Sequence, residues 1–334
     1  MNSMERLKKR LCGEPVDRAP NFDIFMTFAA HYIEQPLSRY YQDYRVLCDA
    51  NFAVQEAFEL DILQAISDPY REAADFGLKV NFPQDNLPMA EKPLLERQTD
   101  LLNLPRPDPS CGRMGDRLAA VRLFHERALG EIPVMGWVEG ALAEAADLRG
   151  VGVVLVDLFD NREWLSELLE HVVDVEIAFA RAQIQAGADI IGLGDAVASQ
   201  ISPRMYREFA LPYEKRIFDA VHEMGALARL HICGNTSHIL EDMLQSGADI
   251  IDLDWMVDFQ QAAALFNGRA AVCGNFDPVA VMLQGEPDEV YRSVQHCLRA
   301  DPRYVISAAG CEIPDGTPHA NIMAQKRALA EFNN

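Results

Sequence analysis

The chain has 334 residues, of which 49% are hydrophobic and 24% charged, with no low-complexity tract, so its composition is that of a folded globular protein. Its 51 acidic residues against 30 basic ones leave a net charge of −21, which repels phosphate backbones and anionic lipid and sets nucleic acid and membranes aside as partners. A basic protein surface stays open as a partner, and seven scattered cysteines, an odd number, point to buried packing residues rather than a disulfide framework.

The opening MNSMERLKKRLCGEPVDRAP is charged and lacks the apolar core of a secretory signal, and no apolar run reaches membrane-spanning length. A cytoplasmic location is therefore expected. The stretches APNFDIFMTF (19–28) and LDILQAISD (60–68) are plausible strands, although helix and strand are hard to separate there. Residues 69–131 are too long for a simple connection. The proline-rich runs NFPQDNLPMAEKP and LPRPDPSCG predict an ordered excursion over the site or a mobile lid, before a helix around RMGDRLAAVRLFHERAL.

From residue 130 onward, short apolar runs alternate with segments of helical period. Strands are expected near 132–140, 188–195, 227–234, 248–255, 270–277 and 304–311. The segments QAGADIIGLGD (185–195) and QSGADIIDLDW (245–255) repeat one pattern, a helix-ending glycine (Gly187, Gly247) followed by a buried strand, and read as successive versions of one unit. Eight strand-helix units close most naturally as a (β/α)8 TIM barrel with a long excursion between the second and third strands, and a doubly wound open sheet is the rival. No shift in composition marks a second domain, so a single domain over 1–334 is expected.

In such a barrel the chemistry sits at the carboxyl ends of the strands. His231 and Cys233, two residues apart at one strand end, project to the same face by the alternation of side chains. Imidazole and thiolate are common zinc ligands, but a catalytic zinc needs a third protein ligand and an open position. Cys311, closing YVISAAGC, is better placed for that than Cys273, deeper in AAVCGNFD; the alternative is a hydrogen-bonded core histidine with packing cysteines. Asp68, Glu139, Asp195 and Asp254 also end strands, where a carboxylate can bind substrate, act as acid or base, or merely cap a helix. No phosphate-cradling glycine loop or Gly-x-Ser-x-Gly elbow is present.

The stretches GEPVDRAP (13–20), SDPYREAADFG (67–77), DAVASQISPRMYREFALPYEKRI (195–217), HICGNTSHIL (231–240), GNFDP (274–278) and GCEIPDGTPHANIMA (310–324) resemble the uroporphyrinogen decarboxylase superfamily, and within it the corrinoid-dependent methyltransferase branch. The resemblance covers nearly the whole chain and implies a (β/α)8 barrel. Decarboxylases carry Met-Arg-Gln-Ala-Gly-Arg-Tyr near the amino terminus, with arginines that bind substrate carboxylates; here MTFAAHY (26–32) puts Thr27 and His31 in their places. Asp68 matches the aspartate of the decarboxylase site and is the substrate-binding candidate. The methyltransferase branch binds zinc through a His-x-Cys pair and a distant cysteine, which fall on His231, Cys233 and Cys311.

That resemblance implies two reactions, each with Zn2+ and with a corrinoid (cobalamin) carried by a separate corrinoid-binding protein. In one, zinc polarises a methyl donor, with a methoxylated aromatic as the first expectation because GCEIPDGTP looks more like the donor demethylases. In the other, zinc activates an acceptor thiol of the coenzyme M kind. Glu139, Asp195 and Asn275 are the expected catalytic residues, orienting substrate or completing the zinc coordination. A homodimer is a compatible assembly, and a non-catalytic accessory barrel is the competing reading.

Overall fold

Seven parallel strands follow one another around a curled sheet in the computed structural model, which describes residues 1–332. They are β1 (Leu63–Gln64), β2 (Val134–Glu139), β3 (Ile190–Gly194), β4 (Leu227–Ile232), β5 (Ile250–Leu253), β6 (Ala271–Phe276) and β7 (Val305–Ala309), each paired with the next in chain order. All six strands expected beyond residue 130 form. The two echoing segments are β3 and β5, with β4 between them, and Gly187 and Gly247 turn their helix ends with φ of +111° and +89°. Residues 333 and 334, the end of the expected 1–334 domain, lie outside the described residues.

The eighth strand, expected at 19–28, does not form as a ladder. Asn21 makes one parallel bridge to Ser307 of β7, Phe22 donates to the Ser307 carbonyl at 2.8 Å, and Asn21 accepts from the Asp61 amide at 2.9 Å on the other side. The segment thus fills the gap between β7 and β1 without regular pairing. Two local causes account for this: Pro20 has no amide hydrogen to donate, and the Asp23 side chain takes the Ala309 amide (2.8 Å) that a backbone carbonyl would otherwise accept. Thr27 and Phe28, the end of that expected strand, instead open the helix Thr27–Tyr32.

Alternation along the strands separates two packed regions. Val134, Val138, Leu230, Ile251 and Val305 face the surrounding helices, while Met135, Trp137, Ile190, Ile250, Cys273 and Ile306 fill the barrel, with Leu7 of the amino-terminal helix Ser3–Leu11 packed among them. Gly192 on β3 is required by this packing, because a Cβ there would lie 2.3 Å from the Trp137 ring. The barrel also holds a buried ion pair, Arg229 Nε lying 2.9 and 3.1 Å from the two Asp252 oxygens.

The 69–131 excursion is ordered. It comprises helix Arg71–Phe76, a short antiparallel ribbon of Val80–Asn81 with Met89–Ala90, a 3-10 turn at Gln98–Asn103 and helix Gly112–Ala128. Among the described residues no helix is long and apolar enough to cross a membrane.

Candidate metal centre and its cavity

His231 is the last inward-facing residue of β4, and its neighbour across the register is Asp252 of β5. That pairing sets the imidazole: Nδ1 donates to Asp252 Oδ2 at 2.9 Å, which leaves Nε2 pointing into the mouth. Asp252 is held in turn by Arg229, so one fixed chain runs from the barrel interior to the ring. Burial by itself would raise the Asp252 carboxyl, but Arg229 and His231 hold it at about 2. Asp252 was not among the sequence candidates; the available signal was a carboxylate inside the apolar strand ADIIDLDW, two residues before the strand-end Asp254.

Cys233 follows β4 directly, on a turn whose Gly234 has a φ of +90° and donates its amide to Asp254 Oδ2 at 2.8 Å. The expected strand-end acid Asp254 therefore holds the turn that aims Cys233. Cys311 lies two residues beyond β7 and meets Cys233 across the mouth, although β5 and β6 separate their strands. The three ligating atoms lie 3.0 Å (His231 Nε2 to Cys233 Sγ), 3.7 Å (Sγ to Sγ) and 4.0 Å (His231 Nε2 to Cys311 Sγ) apart.

The three groups are electrostatically coupled to one another. Cys311 is drawn down to about 4, first by its hydrogen bond with Cys233 and then by His231, whereas that same bond and burial push Cys233 up. The pair thus carries one shared negative charge. Burial disfavours the imidazolium of His231, but the neighbouring Cys233, Asp252 and Cys311 outweigh it and its pKa rises.

A cavity of about 160 Å³ opens beside these three side chains. Asp68 and Glu139, both expected at the site, line it, with Trp137, Met26 and Ile66 among the apolar walls. Two arginines from the excursion, unrecognised in the sequence because they do not end strands, hold these acids. Arg113 bonds both Asp68 oxygens at 2.7 Å and Arg71 bonds Glu139 at 2.5 Å. Arginine thereby keeps Asp68 below its usual range despite burial, while burial lifts Glu139 even beside Arg71.

Two expected residues are not at the cavity. Asp195 has no exposure and lies against the backbone of Gly140, where a Cβ would come within 2.6 Å of its carboxylate; burial, then Glu214 and Glu139, raise it well above the usual range. Asn275 turns outward and donates its amide to the carbonyls of Asp254 and Val257, lining a different groove. Both end strands, but on the face toward the helices. Cys273 is buried in the barrel, 3.8 Å from Arg229 Nη2, apart from the triad. His238, near the triad in sequence, sits in the turn before Leu240–Met243 and contacts the Ile201 carbonyl, away from the cavity. Thr27 donates to Glu312 through both its amide and its hydroxyl, and His31 lies 2.9 Å from Asp315, so neither replaces an arginine at the cavity.

The relatives of the chain fit this architecture. A methylcobamide:CoM methyltransferase MtbA from Methanosarcina mazei is 31% identical over 325 residues, covering 95% of this chain and 94% of the relative. A uroporphyrinogen decarboxylase from Prochlorococcus marinus is 28% identical over 338 residues, covering 96% and 94%. In structure, a methyltransferase from Methanosarcina mazei superposes with a TM-score of 0.90 at 23% identity over 99% of both chains, which shows that the fold is shared. The uroporphyrinogen decarboxylase (URO-D) family model matches residues 2–332, and the chain belongs to that family.

Proposed function

We propose that the protein is a zinc-dependent methyltransferase that moves a methyl group from a methylated corrinoid protein to a small thiol. The observation that carries this reading is the convergence of His231 Nε2, Cys233 Sγ and Cys311 Sγ at the cavity, with His231 held from behind by Asp252. The donor set fits the metal. A tetrahedral zinc with bonds of about 2.3 Å to sulfur and about 2.0–2.1 Å to nitrogen spaces two sulfurs roughly 3.8 Å apart and nitrogen from sulfur roughly 3.5 Å. The observed sulfur separation is 3.7 Å, and the two nitrogen-sulfur distances, 3.0 and 4.0 Å, bracket the second value. Three protein ligands beside an open cavity leave one position for a substrate atom.

When bound, zinc supplies a Lewis acid that lowers the pKa of a thiol placed at its open position. Asp252 fixes the tautomer and ring angle of His231, Trp137 and the other apolar walls exclude water, and Asp68 and Glu139 stand opposite in fixed geometry on their arginines. In the transfer the thiol sulfur's electron pair forms the new S–C bond, the pair of the broken carbon-cobalt bond stays with the corrinoid, and the thiol proton leaves to solvent. The acceptor direction is favoured over the methoxylated aromatic first expected, because the relatives at 30–31% identity are named for methylcobamide and CoM.

The test is metal analysis of the purified chain followed by thiol methylation with methylcobalamin as the methyl source. About one zinc per chain and transfer that stops on chelation are expected. A chain that binds no zinc and still methylates thiols would overturn the reading.

A further inference from the structure

Helix Val151–Asp160, away from the metal centre, carries an apolar face that nothing among the described residues covers. Its inner side is buried through Val154, Asp157 and Leu158, with Asp157 held by Arg149. Its outer side exposes Val153, Val156 and Phe159, the last to 66%. Beside it runs the turn Gln98–Asn103, whose Gln98 shares a groove with Phe159 and whose Leu102 is 85% exposed. Of the two charged residues in the helix, only Asp160, at its end, reaches solvent, in a chain that is 24% charged. An exposed apolar patch of this kind marks an interaction surface.

The features of this face complement one another about a two-fold axis. Gly152 and Phe159 are seven residues apart, close to two turns, and share the outer face. A Cβ at Gly152 would meet nothing within 4 Å among the described residues, so packing inside the chain does not account for a glycine that weakens the helix. If two copies cross antiparallel with the axis between Leu155 and Val156, each Phe159 ring lies over Gly152 of the other copy. The same pairing sets Asp160 against Val151 of the other copy. In the single chain Asp160 sits at the C-terminal end of its own helix dipole, which disfavours an acid, and the first turn carries no acidic residue. Across the axis that acid faces a helix N-terminus, where it is favoured. A knob, a recess and a charge that match on one helix select a second copy of this chain over an unrelated partner.

We propose that the protein forms a two-fold homodimer in which helices Val151–Asp160 of two copies pack antiparallel, Phe159 of each filling the recess over Gly152 of the other. The inference does not depend on the methyl-transfer reading. A net charge of −21 on each copy opposes association wherever exposed acids meet, and the nearly uncharged face of this helix lowers that penalty locally. A standard interface buries about 800 Å² per partner, more than one helix face supplies, and Leu102 on the adjoining turn widens the contact.

Sedimentation velocity of the purified full chain over a concentration series tests this. A dimer with a Kd of about 1 µM or tighter is expected. Phe159→Glu, which puts a charge in the contact, should weaken the dimer at least about tenfold, and so should Gly152→Leu, which fills the recess without adding charge. Leu129→Glu, at a position 82% exposed past the end of helix Gly112–Ala128, should leave the Kd unchanged. Both interface positions are exposed, so circular dichroism and thermal unfolding should show the fold retained in each variant. A monomer at every concentration would overturn the inference, as would a dimer that keeps its Kd after either interface substitution.

Discussion

Two sides of one cavity handle buried acid in opposite ways. On the triad side Asp252 is matched by Arg229 and His231, so it stays ionised and its charge orients the imidazole. On the other side Glu72, Glu139, Glu144 and Glu176 surround Arg71, and both oxygens of Glu144 and Glu176 and one of Glu72 have no hydrogen-bond partner. Burial raises the pKa of all four glutamates. The difference teaches that acid count does not give charge. A matched carboxylate becomes a positioning device, whereas surplus carboxylates are kept near neutrality by desolvation.

Removing a ligand is the most severe way to break the comparison. Cys311→Ala should lose most bound zinc and abolish methyl transfer, while Cys273→Ala, in the barrel interior, should leave the metal content unchanged. Elemental analysis checks both, and full zinc occupancy in Cys311→Ala would sink the ligand assignment. On the opposite side, Arg71→Met should cost about 3–5 kcal/mol of stability by removing the cation from buried Glu139 and Glu72, yet leave zinc in place. Denaturant unfolding and metal analysis of the same sample would show whether the two sides are separable.

A smaller effect sharpens the contrast at the triad. Asp252→Asn should weaken zinc binding by about 10–100-fold, read by chelator competition, since the ring loses its fixed orientation. Wild-type affinity in that variant would remove the role given to Asp252. The mildest change concerns proton balance. The Glu72 pKa is lifted from its ordinary 4.5 to about 7, by burial first and then by Glu139. The folded state therefore retains a proton that the unfolded chain gives up, and the contribution present below pH 4.5 is lost as pH rises to about 7. In Glu72→Gln, unfolding free energy should fall less steeply across that window; parallel profiles would contradict the neutral-acid account.

Much of the triad was legible because it follows local rules. His231 and Cys233 share a strand end, and Cys311 closes another apolar run, so alternation and barrel geometry bring them toward one mouth. Asp195 ends a strand and Asn275 lies near the end of another, but strand position alone did not bring either to the cavity. The structure turns one toward Gly140 and the other toward the Asp254 and Val257 carbonyls. Arg71 and Arg113 stayed hidden because neither ends a strand and the acids they hold, Glu139 and Asp68, lie far from them in sequence.

The chain's pattern alone determined the parallel strands beyond residue 130, the left-handed helix ends at Gly187 and Gly247, and the candidate ligands, since each depends on near neighbours in sequence. Only the tertiary structure decided that the first segment fills its place in the ring by side-chain and single hydrogen bonds, that Asp252 stands behind His231, and that both arginines near the cavity are already neutralised. Those outcomes depend on which distant groups share a desolvated space, and burial together with the count of nearby charges, not residue type, sets the behaviour of each group there.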